Sequence, residues 1–505
     1  MGYLKERIDN MKLSQVLEKI EGLVLRGDIN REVTSIEYDS RHVTSGSMFV
    51  AVKGFKTDGH EYINAAIQNG ATTVAIEDGM YDVESIPENV NVVISKDTRN
   101  LLALTACNFY SHPSREFKLV GVTGTKGKTT TTYMIKAILE KAGKKVGLVG
   151  TIANFIGDEE IPTERTTPES VDLQKLFRRM ADEKVDVVVM EVSSHSLALQ
   201  RVAGMTFDYA IFTNLTQDHL DFHKTFDNYL EAKAKLFTVA KEGFVNCDDM
   251  YASRLMKLAT CPITTYGIDN NPFVSARDII ITNSYSEFKL PFNKMIQKIR
   301  VSIPGRFTVY NALAAICVSI KLGASVENIV SALENIKVPG RSEIVPNMRG
   351  YTIIVDYAHT PDSLENIIKA CKAYTKGNVI CVFGCGGDRD TAKRPMMGEI
   401  SGRLASYTVI TTDNPRTEEP EAIVKQIEDG IKKTKGKYKI IVDREKAIEH
   451  ALRKATKNDL VLVAGKGHET YQEINGVKHH FDDREVIANI LKKLPEVKDE
   501  DLYMW

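Results

Sequence analysis

The chain has 505 residues, 43% hydrophobic and 26% charged, which is enough for about three domains and is ordinary for a globular protein. Lys and Arg number 66 against 67 Asp and Glu, a net charge of −1 that excludes a broad nucleic-acid-binding surface and a polybasic membrane footprint, though not a local patch. Seven cysteines, none in Cys-x-x-Cys spacing, exclude a disulfide scaffold, a zinc ribbon and a thioredoxin-like redox motif.

The first segment, MGYLKERIDNMK, is too charged for a signal peptide, and Glu6 breaks the myristoylation pattern. The longest apolar stretch, 312–320, is far short of a membrane span. These features predict a reduced, cytoplasmic, multidomain enzyme. Short Val- and Ile-rich runs alternate with longer helical patterns: KLVGVTG, VDVVVMEV, YTIIVDYA, NVICVFGCGG, YTVITTDNP and DLVLVAGKG. Continuous apolar runs fit strands buried on both faces of a parallel sheet. Their polar or glycine ends fit binding sites at the carboxyl edge of such a sheet. The expected class is α/β, in three domains. Proline and glycine punctuation near residues 115 and 339 divides the chain into 1–115, 116–338 and 339–505.

The strongest local signal is Thr123-Gly124-Thr125-Lys126-Gly127-Lys128-Thr129-Thr130, between a predicted strand and a predicted helix. A glycine-rich turn at a helix start presents backbone N–H groups to phosphate oxygens. Lys128 is expected to reach the β- and γ-phosphates and the Thr129 hydroxyl to bind Mg²⁺. The loop is a variant, with Val122 where the strict pattern has Gly. Glu191, ending VDVVVMEV, is the expected acid for a magnesium nucleotide site, although such a residue also serves as a turn or cap. His219 and His223 have the spacing of a metal pair on a helix, but Leu220 stands where a zinc-protease helix needs Glu; hydrogen-bonded surface histidines are the alternative.

TGTKGKTTTT, MEVSSH, NLTQDHLDFH, EAKAKLF, GRFTVYNALAA, PGRSE, DYAHTPDSL, GCGGDRD, DNPRTEEP and GKGHE, in that order, together resemble the Mur ligases, which build the peptide of bacterial cell-wall precursors. The segment YDSRHVTSGSMFVAVKG resembles their nucleotide-sugar-binding domain. The resemblance runs from about residue 34 to about residue 490 and is nearest to the branch that adds the third residue of the peptide. It implies a UDP-sugar-binding N-terminal domain, a central P-loop ATPase-type parallel sheet and a C-terminal, Rossmann-like, amino-acid-binding domain.

The resemblance also implies an activity. ATP phosphorylates a carboxylate of UDP-N-acetylmuramoyl-L-alanyl-D-glutamate, and the amine of meso-2,6-diaminopimelate attacks the acyl phosphate. The alternative acceptor is L-lysine or another diamino acid. Gly124, Thr125, Lys126, Gly127, Lys128, Thr129 and Thr130 match the phosphate loop, and Glu191 matches its magnesium ligand. His219 matches a ligand of a second Mg²⁺, and Lys233 matches a lysine that the family carbamylates. Carbamylation makes an ammonium, which cannot bind a metal, into an oxygen donor that magnesium prefers. By its residue type alone, Lys233 reads as a solvated helix lysine.

Asn311, Arg341, Asp356 and His359 match nucleotide contacts, while Ser40, Thr166, Thr167, Ser193 and Arg201 match contacts for the UDP-sugar peptide. The Ser and Thr residues also fit plain caps and turns. Asp413, Asn414 and Arg416 match the motif of diaminopimelate adders, with Arg389 as a second arginine and Gly465 and Glu469 at the distal ammonium. The chemistry agrees, because an Arg fork grips a carboxylate with two hydrogen bonds and lysine lacks that second carboxylate. Lys126 and Thr308 stand where the family usually has Asn. No nucleic acid or membrane span is expected, and the chain is expected to be a monomer.

Three other readings compete. A folylpolyglutamate-synthetase-like ligase would lack the YDSR…GSMFVAVKG domain. A GTPase switch would need Asn-Lys-x-Asp, but the only Asn-Lys is Asn293-Lys294-Met295-Ile296. An inactive paralogue is opposed by the intact Lys128, Glu191, His219 and Lys233.

Overall fold

The structure is a computed structural model that describes residues 10–55, 57–292 and 295–495. The first nine residues, the Asn293-Lys294 pair and the tail VKDEDLYMW lie outside the described residues. Backbone packing separates two compact units, Met1–Tyr266 with Cys317–Leu322, and Gly267–Ile316 with Gly323–Trp505.

Besides a two-stranded ladder of Met11–Lys12 and Glu32–Val33, the described residues of the first unit carry two larger sheets. One has the order Val24–Arg26, Asn91–Ser95, Thr73–Glu77, Met48–Val50, Ile36–Glu37, parallel except for its first strand. The other places Lys118–Thr123 between Val187–Glu191 and Phe207–Phe212, with all three parallel. Val146–Val149 continues it on one side, and Ala240–Asn246 and Ile263–Gly267 on the other. Every residue of Val187–Glu191 is buried, so both faces of the strand are covered by helices, as its unbroken apolar run requires. Each such Val or Met side chain contributes about 1.5–3 kcal/mol by leaving water. The register sets Glu191 beside Val122 and Phe212 beside Thr123, so these strands finish level and share one carboxyl edge.

The second unit carries an antiparallel three-stranded sheet, Arg277–Ile281, Ser286–Phe292 and Met295–Val301. It also carries a six-stranded sheet in the order Glu343–Ile344, Thr352–Asp356, Leu460–Ala464, Val379–Phe383, Tyr407–Ile410, Tyr438–Ile440. All but the first of these six strands are parallel, and Asp356, Gly384, Asp413 and Gly465 lie at or just beyond their carboxyl ends. The α/β expectation therefore holds strand by strand for the six runs read from the sequence.

Under the Gly465 edge lies a fully buried ion pair. Arg444 Nε and Nη2 each donate to Asp483 at 2.7 Å, and Nη2 also donates to the Ala464 carbonyl at 3.1 Å. Breaking a buried pair strands the remaining charge, at a cost of about 3–5 kcal/mol. Asp483→Ala is therefore expected to lower the melting temperature of this unit markedly. A melting curve superimposable on that of the parent would show that the pair is energetically idle.

Among the described residues, no helix is long and apolar enough to cross a membrane. All seven cysteines are free thiols.

Candidate functional site

The phosphate loop leaves Lys118–Thr123 and enters the helix Lys128–Lys141. Gly124 has φ +148°, and a Cβ there would sit 1.9 Å from Thr213 Oγ1, so only glycine fits this close approach. The segment 213–216 clasps the loop. Thr213 Oγ1 and Asn214 Nδ2 donate to the Lys126 carbonyl at 2.6 and 3.1 Å, and Asn214 Oδ1 accepts from the Lys126 amide at 2.9 Å. Lys126, the departure from the family's Asn, places Nζ 3.7 Å from Asp218, which offsets part of the added charge.

Lys128 curls back over its own loop and donates to the carbonyls of Gly124 at 2.9 Å and Thr125 at 3.0 Å. Thr129 Oγ1 donates to Glu191 Oε2 at 2.9 Å. Glu191 is only 1% exposed, and its other donors are the amide and hydroxyl of Thr151, at 2.8 and 3.1 Å. A buried carboxylate whose donors among the described residues are all neutral, with a second hydroxyl oxygen beside it, fits a hard divalent cation.

Lys233 sits on the helix Phe226–Ala234, is 1% exposed, and donates to the Gly124 carbonyl at 2.9 Å. Its Nζ lies 4.5 Å from the centre of the Tyr229 ring. Burial, and then the nearby Lys128 ammonium, push its pKa well below that of an ordinary lysine, with Asp218 pulling the other way. The solvated-lysine reading fails here, whereas the neighbouring Lys235 is exposed.

His219 and His223 do not form a metal pair on one helix face. His219 has a left-handed backbone (φ +52°) and caps the four-residue helix Leu220–His223. His223 is buried, with Nε2 2.9 Å from Ser194 Oγ, so its ring is committed elsewhere. His195 lies edge-on to His219 with ring centres 4.7 Å apart, and Phe222 is 4.3 Å from His195. Burial lowers the pKa of His219, which favours the neutral ring with a lone pair to offer. Among the described residues, no group of three or more His, Cys, Asp or Glu side chains forms a metal cage by itself.

Thr166, Thr167, Ser193 and Arg201 gather around the Glu191 strand end. Thr166 Oγ1 is 3.0 Å from Thr151 Oγ1. Thr167 Oγ1 donates to the Glu191 carbonyl at 2.8 Å, and Arg201 Nη1 donates to the Thr167 carbonyl at 3.0 Å. Ser193 Oγ caps the helix Ser194–Ala198 by accepting from the Ser196 amide at 3.1 Å. Ser40 is fixed differently: it starts a short 3-10 helix capped by Asp39, and its carbonyl accepts from Asn69 Nδ2 at 2.8 Å.

In the second unit, Asn311 lies buried on the helix Arg306–Lys321, whose Thr308, the other departure, is 0% exposed. Arg341 stacks 4.7 Å from the Tyr357 ring. Asp356 accepts from the Ser342 and Ala358 amides at 2.7 and 2.9 Å, and burial raises its pKa. His359 Nδ1 lies 2.7 Å from the Tyr357 carbonyl. Arg341, Asp356 and His359 therefore frame one stretch of the sheet edge.

The Asp413–Arg416 turn is built more tightly than the sequence suggests. Gly465 has φ +114°, and a Cβ there would meet Asp413 Oδ2 at 2.5 Å. Asn414 Nδ2 donates to Glu469 Oε2 at 2.8 Å. Lys466, fully buried, donates to Asn414 Oδ1 at 3.0 Å and to Glu469 Oε2 at 3.2 Å. Burial, with Asp413 nearby, raises the pKa of Glu469. Arg389 is exposed and donates to the Asp388 carbonyl at 3.2 Å. A Cβ on Gly386 would lie 3.0 Å from Arg416 Nη1 and 3.8 Å from Arg389 Cγ, so both arginines flank the same turn.

Sequence reasoning missed Thr151, Lys466 and Glu473. Lys466 lies inside the quoted GKGHE segment and was legible as part of it. Thr151 and Glu473 have no local signal, because only the fold brings them to Glu191 and Arg416.

Three family profiles cover the chain: the Mur ligase family catalytic domain over 32–110, the Mur ligase middle domain over 122–319, and the Mur ligase glutamate ligase domain over 340–467. The chain belongs to the Mur ligase family. A relative from Clostridium botulinum, a UDP-N-acetylmuramoyl-L-alanyl-D-glutamate–2,6-diaminopimelate ligase, is 47% identical over 96% of this chain and 100% of its own length. A protein of the same name from Alkaliphilus metalliredigens is 49% identical over 98% and 100%. A solved structure of a ligase of that name matches with a TM-score of 0.70 and 30% identity, covering 96% of this chain and 99% of that one. The MurF ligase of Thermotoga maritima in complex with ADP shares the fold, with a TM-score of 0.58, 19% identity, and coverage of 91% and 97%.

Proposed function

We propose that this protein is an ATP-dependent, ADP-forming ligase that joins meso-2,6-diaminopimelate to UDP-N-acetylmuramoyl-L-alanyl-D-glutamate in peptidoglycan precursor synthesis. The observation that carries the reaction class is the convergence of Lys128, Thr129, Glu191 and Lys233 on one phosphate loop. The acceptor rests on the names of relatives at 47% and 49% identity and on the Asp413–Arg416 turn.

A carboxylate is a poor electrophile. Its oxygen attacks the γ-phosphorus of ATP, ADP departs, and the acyl phosphate that forms carries a good leaving group. The acceptor's amine then attacks the carbonyl carbon, and the tetrahedral intermediate collapses to the amide with release of phosphate. The protein's own work is positioning and charge compensation. Lys128 leaves its loop carbonyls for the phosphate oxygens. Arg341, Asp356 and His359 meet the nucleotide, and Ser40, Thr166, Thr167, Ser193 and Arg201 hold the UDP-linked dipeptide. Thr129, Glu191, His219 and, once carbamylated, Lys233 would hold Mg²⁺, two ions in all, and that metal would supply neutralisation of charge on the phosphates. The functional division is 1–115, 116–338 and 339–505, and the protein works as a cytoplasmic monomer.

The test is phosphate release from ATP and Mg²⁺ with UDP-N-acetylmuramoyl-L-alanyl-D-glutamate, in parallel with meso-diaminopimelate, L-lysine or no amino acid. Release that requires diaminopimelate is expected. Release with lysine alone would keep the ligase and discard the acceptor, and release in no tube would discard the activity.

A further inference from the structure

We propose that Glu473 is a positioning residue for the acceptor site: it aims the Arg416 guanidinium at the distal carboxylate of the incoming amino acid, and the hairpin carrying it is the brace of that site. The inference rests on the ligase reading above, and it concerns a residue outside the motif that reads the acceptor.

Arg416 is strained and held. Its φ is +52°, a left-handed conformation that costs a long side chain of this kind about 1 kcal/mol or more. The hairpin Tyr471–Ile474 and Val477–His480 supplies the holding contacts. The Arg416 amide donates to the Glu473 carbonyl at 3.0 Å, and the Asn475 amide donates to the Arg416 carbonyl at 2.8 Å. The Glu473 amide donates to Asn414 Oδ1 at 3.0 Å, and Gln472 Nε2 donates to the Asp413 carbonyl at 2.7 Å. Buried Lys466 also donates to the Tyr471 carbonyl. Three residues of the acceptor turn are thus tied to one hairpin by backbone and side-chain bonds together.

The side chain of Glu473 adds direction. Its Oε2 accepts from Arg416 Nε at 3.1 Å, while Nη1 donates to the Gly387 carbonyl at 2.8 Å. Both side chains are largely buried, at 19% and 25% exposure, so the pair is only partly screened by water. With Nε and Nη1 so engaged, Nη2 makes no hydrogen bond among the described residues and is the nitrogen left for an incoming carboxylate. A guanidinium on four rotatable bonds binds a carboxylate better when its orientation is set beforehand. Glu473 does this without touching the reacting atoms.

The experiment compares Glu473→Gln and Glu473→Asp with the parent, alone and combined with Arg416→Ala, by steady-state kinetics in each substrate. The Gln variant is expected to raise KM for diaminopimelate about tenfold, with kcat and the KM for ATP near the parent values. The Asp variant should recover part of the loss. On the Arg416→Ala background the Gln change should add nothing, because its effect passes through Arg416. Unchanged KM for diaminopimelate in Glu473→Gln would overturn the proposal, as would an equal rise in the KM for ATP or full additivity with Arg416→Ala. Failure of the parent protein to use diaminopimelate would instead count against the ligase reading, so the two failures are distinguishable.

Discussion

Lys233→Ala is expected to abolish ligation, with a loss of at least about 100-fold, the scale seen when one preorganised charge-stabilising group is removed. The physical case is unusual for a lysine. Its side chain is sealed under the phosphate loop, donates to the Gly124 carbonyl and lies over the Tyr229 ring. Desolvation and then the Lys128 charge disfavour its ammonium form, with Asp218 pulling the other way, so the neutral amine is more accessible than in an ordinary lysine. A neutral amine can attack CO₂ and lose a proton, leaving a carbamate whose oxygens suit magnesium. The Ala variant should recover some activity in millimolar formate or acetate, since a small carboxylate can enter the vacated space. Formation of the UDP-linked tripeptide product would be followed with and without added carboxylate, and a thermal melt would show that the variant is folded. Near-parent activity in folded Lys233→Ala would sink the carbamate reading.

The second large effect is expected at Arg416. Arg416→Ala removes a guanidinium that can offer two charge-assisted hydrogen bonds to a carboxylate, a loss of roughly 3 kcal/mol. That corresponds to a fall in kcat/KM for diaminopimelate on the order of 100-fold. The rate with L-lysine, which has no distal carboxylate, should change little, so the ratio of the two acceptors carries the result. The turn has other supports: Asn414 remains bonded to Glu469 and Lys466. A collapse of both rates together would mean that the substitution unfolded the turn, and unchanged selectivity would mean that Arg416 does not read the acceptor.

Much of the candidate site was legible because the residues proposed for its chemistry lie on short segments at strand ends. Gly124, Lys128 and Thr129 are read from one turn, and Glu191 from the end of one apolar run. Asn414 and Arg416 are likewise read from one turn. Other features were not legible. The His219 and His223 spacing suggested a helical pair, yet the chain turns left-handed at His219 and sends His223 to Ser194. Lys126 was legible as a departure from the family's Asn, but its partner Asp218, 3.7 Å away, was not.

The sequence by itself determined the class of fold, the six parallel strands and the position of the phosphate loop. Unbroken apolar runs admit few structures other than strands covered on both faces, and glycine is demanded where backbone must approach closely. Only the tertiary structure decided protonation and partnership. The burial of Lys233, the neutral-donor shell of Glu191 and the clasp of Glu473 on Arg416 each depend on residues distant in sequence. Desolvation and hydrogen-bond geometry are properties of surroundings, and no local pattern in the chain encodes them.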